Sequence, residues 1–483
     1  MLSTRSPSPL RVGGGSYRTK PSVRTASIRY ALLGEITLAV LPAMAAVKLG
    51  APRVGAYWLF LAIACFLVAN ALIDGTVSNL ALIVGVLPAA TMLRNLFVYN
   101  SIIVLLTIGL AGVVFRSRAQ MKLLRGAGFT WLVYLAVLYW LVSFAITGDY
   151  TANLRILELI FGAAALLALS RFPEYCATAL FGIFISLVCI GAGLYGYGDR
   201  LGYAQVGDIS IGNPITFGEP LALLLLLLIA DRGKWFMLQR NTVLRLSLCL
   251  VVAVLLLLST SRGSWLVAVG GLLVVLLLDR RSRLTMLVST GVMAIALVVT
   301  LRSSRGQDLG EWIGRTFADN RSMSNRTDGR ADQWMLIPRV MQDEAPWGFG
   351  PGTGPRVYAR YSLLDPRVRL DPGHGMAWHS LYLQFLVEIG FLGLAGMLIL
   401  LAALVRLDFR HWRLTGEVMP LVGTFSFMAI ALTVSGMDAP SGLFLGFGLA
   451  TVHVMPKRKS SRRTRIAARI EEESVSEVEA LTP

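Results

Sequence analysis

Long apolar runs separated by short polar connections extend over nearly the whole chain. The runs occupy residues 30–47, 56–70, 80–93, 96–115, 129–146, 154–168, 177–194, 214–230, 244–258, 265–278, 284–301, 381–405, 418–435 and 442–454. Their lengths and scarcity of charge suit the hydrocarbon layer of a bilayer, where a helix satisfies its backbone polar groups internally. The pattern predicts an all-α polytopic membrane protein with about 14 transmembrane helices, or about 12 where the short second, third and last runs are re-entrant or merged. The first run is longer than a signal-peptide core and lacks a small-residue cleavage site, so it reads as a retained span.

The connections give the runs a direction. Residues 1–29 are polar, with Pro, Ser and Gly clusters and the basic residues Arg5, Arg11, Arg18, Lys20, Arg24 and Arg29, the composition of a disordered tail. Lys457, Arg458, Lys459, Arg462, Arg463 and Arg465 follow the last run, before an acidic stretch from Glu471 to Glu479. Positive charge collects on the cytoplasmic side of membrane proteins, so both termini are expected there. Alternate threading also places Arg116–Arg125, Asp231–Arg245, Asp279–Arg283 and Arg406–Arg413 inside, each rich in Lys and Arg. The expected organisation is a basic tail (1–29), transmembrane helices (30–301), one large extracytoplasmic loop (302–378), further transmembrane helices (379–455) and a charged tail (456–483).

Composition narrows the class. Of the residues 55% are hydrophobic and 15% charged, which excludes a string of water-soluble domains. Cys65, Cys176, Cys189 and Cys249 all lie in or beside apolar segments, so a disulfide framework is not expected.

The loop from Arg302 to Trp378 is too long to be a mere connection. It carries Arg302, Arg305, Arg315, Arg321, Arg326, Arg330, Arg339, Arg356, Arg360, Arg367 and Arg369, interleaved with acids and without lysine. Planar guanidinium forks suit phosphate and diphosphate, although a general preference of the chain for Arg, with ordinary salt bridges, accounts equally well for many of them. Gly329-Arg330-Ala-Asp-Gln-Trp334 opens a stretch to Met341 that can be helical, interrupted or kinked by Pro338. The glycine turn Pro346-Trp-Gly-Phe-Gly-Pro-Gly-Thr-Gly354 follows. Without a preceding strand or a P-loop lysine, that turn reads as close packing more readily than as a nucleotide cradle.

Two positions break the apolar pattern. Arg262 stands in Ser259-Thr-Ser-Arg-Gly-Ser-Trp265 between two runs, and His379 opens the run 381–405. Both fall on the outer side by the threading. Each is either a functional group or an interfacial anchor of the snorkelling kind.

Three motifs together resemble the O-antigen ligase and O-antigen polymerase family. They are Ser-Arg-Gly-Ser-Trp (261–265), Gly-Arg-x-x-x-Trp (329–334) followed by Pro-x-Gly-x-Gly-Pro-Gly (346–352), and His379-Ser-Leu-Tyr-Leu-Gln-Phe-Leu-Val-Glu-Ile-Gly390. The last is similar to the family's His-[Asn/Ser/Gln]-x9-Gly pattern, with Ser380 in the variable place. The resemblance covers roughly residues 244–405; the basic and acidic tails depart from the family pattern.

The resemblance implies a glycosyltransferase of the bacterial inner membrane that takes an undecaprenyl-diphosphate-linked glycan and transfers it, with inversion and without metal or other cofactor, to a glycan or lipid-glycan acceptor. Arg262 and Arg330 are then the candidates to carry negative charge on the leaving diphosphate, and His379 the candidate base. Arg326, Arg339 and Trp334 are candidate substrate-binding residues. Membrane lipid and chain-length or export proteins are the further partners implied, and no nucleic acid is expected. Ligase and polymerase stay open. So do a transporter, for which Glu35, Glu158, Glu219 and Glu388 lie within apolar runs, and a non-catalytic envelope scaffold.

Overall fold

The computed structural model describes residues 23–73, 76–92, 129–149, 155–170, 172–195, 201–206, 209–230, 241–279, scattered positions between 283 and 314, 330–344, 347–368, 372–433 and 439–450. The predicted run 96–115, most of 284–301 and the greater part of both tails lie outside the described residues.

Fourteen helices and one hairpin make up the described elements: α1 (Val23–Lys48), α2 (Pro52–Ile73), α3 (Thr76–Met92), α4 (Phe129–Thr147), α5 (Arg155–Leu169), α6 (Pro173–Leu194), β1 (Tyr203–Val206), β2 (Ile209–Gly212), α7 (Pro214–Ala230), α8 (Thr242–Leu258), α9 (Arg262–Leu278), α10 (Arg330–Glu344), α11 (Gly354–Leu364), α12 (Leu381–Thr415), α13 (Met419–Thr433) and α14 (Ala439–Leu449). Proline opens α2, α6 and α7, where its missing N–H costs no intrahelical bond. Asn241 caps α8 by accepting the Leu244 N–H at 3.0 Å. Gly416, at φ 73°, ends α12.

The apolar helices form an all-α membrane bundle. Its axis is α7, buried on every side from Thr216 to Ala230, as a helix surrounded by protein must be. It packs against α8, α9, α13, α14, α3 and α6. Small residues let helices approach closely: a Cβ on Gly182 would stand 2.9 Å from the Gly85 Cα, so α6 and α3 cross backbone to backbone. Around the outside, Tyr57, Leu277 and Ile399 are each about two-thirds or more exposed, an apolar surface that lipid would cover. By length and composition alone, Glu174–Leu194 and Leu381–Thr415 are long and apolar enough to cross a membrane, with eight shorter apolar helices beside them.

Polar contacts fix which helix ends lie together. Ser264 Oγ, in the first turn of α9, donates to Ile215 O at the start of α7 (3.4 Å). Ser441 Oγ, at the start of α14, donates to Glu219 Oε2 in the second turn of α7 (2.8 Å). Ser380 Oγ, which precedes α12, donates to Ala431 O near the end of α13 (3.2 Å). Since α13 leads into α14, the amino-termini of α7, α9, α12 and α14 share one end of the bundle.

Two elements depart from the predicted pattern. The hairpin β1–β2 pairs antiparallel with Tyr203 opposite Gly212 and adds a small sheet to the expected all-α fold. Four-residue strands are too short to register as periodicity, and Gly202 before β1 and Gly212 at the end of β2 both take positive φ. Within the long loop, α10 extends to Glu344, past the expected Met341 and through Pro338, and α11 was not predicted. The two make a second core: Leu336 and Val340 of α10 meet Val357, Tyr358 and Tyr361 of α11, together with Val368, Trp378 and Val387.

Candidate functional site

The α8–α9 turn is built from serines. Ser261 caps α9 through its side chain, which accepts from Ser264 N at 3.4 Å, and the Ser261 and Ser264 hydroxyls lie 2.9 Å apart. Ser259 Oγ donates back to Leu256 O at 2.7 Å, and the Trp265 indole reaches the same carbonyl at 2.8 Å. A two-helix corner this tight forces Thr260 into the left-handed region at φ 49°, the one non-glycine residue among those described to adopt it. A β-branched residue is costly there. Its hydroxyl is enclosed and meets no partner among the described residues. Arg262 then stands at the first position of α9, half-buried, with its Nε closed off from solvent. A cation at a helix amino-terminus sits at the unfavourable end of the dipole. Together, however, the two make a positively charged end suited to an anion.

Arg330 repeats that placement as the first residue of α10. Three residues on, Gln333 is fully buried and holds the next motif. Its Nε2 donates to Ala377 O at 3.2 Å, and its Oε1 accepts the His379 N–H at 2.8 Å. His379 is half-buried immediately before Ser380, the residue that leads into α12. The first turn of α10, which Arg330 opens, and the backbone of His379 are thus joined through one glutamine. Arg262 joins them at the same end of the bundle, where the contacts of Ser264 with Ile215, Ser441 with Glu219 and Ser380 with Ala431 gather the amino-termini of α9 and α12.

Trp378, beside His379, is buried. Its indole N–H donates to Gly354 O at 3.2 Å and its ring meets Tyr358 edge-on at 5.8 Å. The glycine turn is clamped onto α12 where Gly390, at φ 73° and ψ −165°, breaks the helix. The break releases the Val387 and Glu388 carbonyls, and Phe349 N and Gly350 N donate to them at 2.9 Å each. Gly348 lies so close that a Cβ would come within 2.6 Å of Gly390 N, and one on Gly352 within 2.2 Å of Ser143 Oγ. Close packing, the reading preferred from the sequence, is what these glycines provide.

The remaining loop residues named from sequence fare differently. Arg339 donates to Leu364 O at 3.0 Å, capping α11 at its carboxyl end, while Trp334 on α10 is half-exposed. Arg326 lies outside the described residues. The Arg367 guanidinium grips Asp365 with two hydrogen bonds, of 2.9 and 2.7 Å, its backbone N–H adds a third at 3.0 Å, and together they hold the carboxyl down at about 2. Arg356 caps α4 through Thr147 O at 3.0 Å. Sequence reasoning missed Gln333 and Thr260, and it read Glu388 as a candidate ion-coupling group. A fully buried glutamine beside a motif tryptophan leaves no mark in composition or periodicity.

Residues 247–398 match the model of the O-antigen ligase family. All three motifs and all of α10, α11 and the glycine turn fall inside the matched span, which bears out the family resemblance. No curated protein matches the chain.

Proposed function

We propose that the protein is an O-antigen ligase/polymerase-like glycosyltransferase which moves an undecaprenyl-diphosphate-linked glycan onto a sugar hydroxyl at the extracytoplasmic face of the bacterial inner membrane. One observation carries this reading: Arg262, Arg330 and His379 stand at the amino-terminal entrances of three helices, α9, α10 and α12, whose hydrogen bonds gather them at one end of the bundle. Positive helix ends with two guanidinium groups suit a diphosphate. The family match over the same residues supports it.

The chemistry then assigns itself. His379 takes the proton of the acceptor hydroxyl, whose oxygen attacks the anomeric carbon from the face opposite the diphosphate. The anomeric carbon–oxygen bond breaks, its electron pair goes to the leaving phosphate oxygen, and the configuration inverts. Arg262 and Arg330 stabilise the charge on that oxygen. Trp334, Arg339 and Arg326 are proposed as substrate-binding residues. Ligase and polymerase share this step and differ in the acceptor, a lipid-linked core sugar or a second repeat unit.

The reading needs no divalent ion, because the arginines carry the leaving charge. Membranes treated with a strong chelator should therefore retain glycan transfer, followed as loss of the lipid-linked donor by mass spectrometry. Transfer lost on chelation and restored by added divalent cation would overturn the mechanism.

A further inference from the structure

Glu388 is fully buried in the first part of α12 and takes no part in the chemistry above. Four donors converge on its two oxygens. Oε2 accepts from Gly352 N at 2.7 Å and from the Tyr139 hydroxyl of α4, while Oε1 accepts from Gly354 N at 3.2 Å and from Gln384 Nε2. This satisfies an ionised carboxylate, which only accepts hydrogen bonds. The two backbone N–H groups of the glycine turn thus form an anion-binding concavity whose anion is supplied by the protein itself.

The same turn leads to the site. Gly354, held by Glu388 through its N–H, accepts the Trp378 indole through its carbonyl, and Trp378 precedes His379, whose N–H is held by Gln333 in the helix opened by Arg330. From Glu388 to His379 runs an unbroken series of hydrogen bonds and covalent neighbours, closed by α12 itself.

We propose that Glu388 is the positioning residue of the site: as an internal anion in the glycine turn it locks residues 348–354 onto α12 and so sets Trp378 and His379 against Arg330. This rests on the proposed function for its consequence in catalysis, and on geometry alone for the clamp. It also gives Glu388 a use other than ion coupling, since internal donors already occupy both its oxygens.

Glu388→Gln is the test, because it keeps size and shape. Each carboxylate oxygen receives one backbone N–H, and backbone donors cannot be reversed. Whichever way the amide is turned, its NH2 therefore faces the N–H of Gly352 or Gly354. A residue that merely filled space would tolerate the change; a clamp would not. In the purified full-length variant, hydrogen exchange of the amides in 348–354 and 377–380 should rise while α7 and α9 stay protected. The transfer rate in membranes should fall about 10²-fold, the loss typical of a group displaced by about 1 Å.

Unchanged exchange in the turn, or transfer within about threefold of the parent, the scatter of context-dependent effects, would overturn the proposal. If Glu388→Gln does not accumulate, Tyr139→Phe takes its place, for it removes one donor and keeps the ring stacked on Phe385 at 5.7 Å. It should raise exchange in the same segments and slow transfer severalfold, and no change in either would again overturn the clamp. The exchange measurement does not depend on the reaction. A parent protein without transfer activity but with a Glu388-dependent turn would sink the proposed function and leave the clamp standing.

Discussion

The backbone N–H of His379 donates to the side-chain carbonyl of Gln333 across 2.8 Å, joining the helix that Arg330 opens to the entrance of α12. Gln333 meets the strand of residues before α12 on both its polar atoms, since its amide also donates to Ala377. Replacement by leucine, similar in volume, leaves a part-buried donor and a part-buried acceptor unmatched, at a cost of at most about 1–3 kcal/mol each. Gln333→Leu should lower the thermal midpoint of the purified protein and depress transfer together. A variant with parental midpoint and rate would show that the link is dispensable.

His379→Ala and Arg262→Ala should abolish measurable transfer at matched protein levels. Both positions are half-buried at helix entrances, so neither truncation opens a core cavity. Loss of one preorganised donor slows a reaction ~10²–10³-fold, and loss of a general base ~10²–10⁴-fold. Near-normal surface polysaccharide from cells carrying either variant would make that residue structural.

Arg330→Lys separates charge from shape. Lysine keeps the charge but loses the planar fork that engages two diphosphate oxygens at once. The expected result is severe impairment, with undecaprenyl-diphosphate-linked glycan building up in the membrane; a lysine variant that turns over normally would reduce Arg330 to a point charge.

Sidedness is open to reporter fusions. Fusions after Arg125, Arg283 and Arg413 should report cytoplasm, and insertions near Asp365 the opposite side. A cytoplasmic signal at Asp365 would separate the site from its substrate.

Asp365 offers a pH signature. Its carboxyl titrates at about 2 in the folded protein because of Arg367, below the ~3.9 of an unfolded chain. A depressed acid stabilises the fold above its unfolded value and loses that contribution as pH falls through its folded one. Compared with Asp365→Asn, the parent's advantage in thermal midpoint should therefore be constant above about pH 5 and shrink between about pH 4 and 2. A constant advantage down to pH 2 would show that the pair does not bear on stability.

Among the described residues, twelve of the predicted apolar runs are helices, because a long apolar stretch leaves a strong imprint on composition. Shorter devices leave none. The hairpin and α11 escaped notice, the first for its four-residue strands and the second because its apolar positions, Val357, Tyr358 and Tyr361, are scattered among arginines. Helix α12 runs beyond residue 405 to Thr415, where the basic turn Arg406–Arg413 continues the helix until Gly416 stops it. Arg262 and His379 were visible as polar residues that break the apolar pattern, and Arg330 through the motif that resembles the family. Gln333 and Glu388 were not visible as partners, since their meaning depends on contacts made 46 and 36 residues away.

The broken turn at Gly390 makes the distance from His379 a ruler. Between them lies one helical segment, residues 381–389, fixed at its far end by the glycine turn and at its near end by Ser380 on α13. One added or deleted residue would rotate the near end by about 100° and move it by about 1.5 Å, carrying the imidazole away from the arginines. Length variation that a surface loop absorbs freely is therefore forbidden here, and the spacing in the histidine motif records a mechanical tolerance of less than one residue.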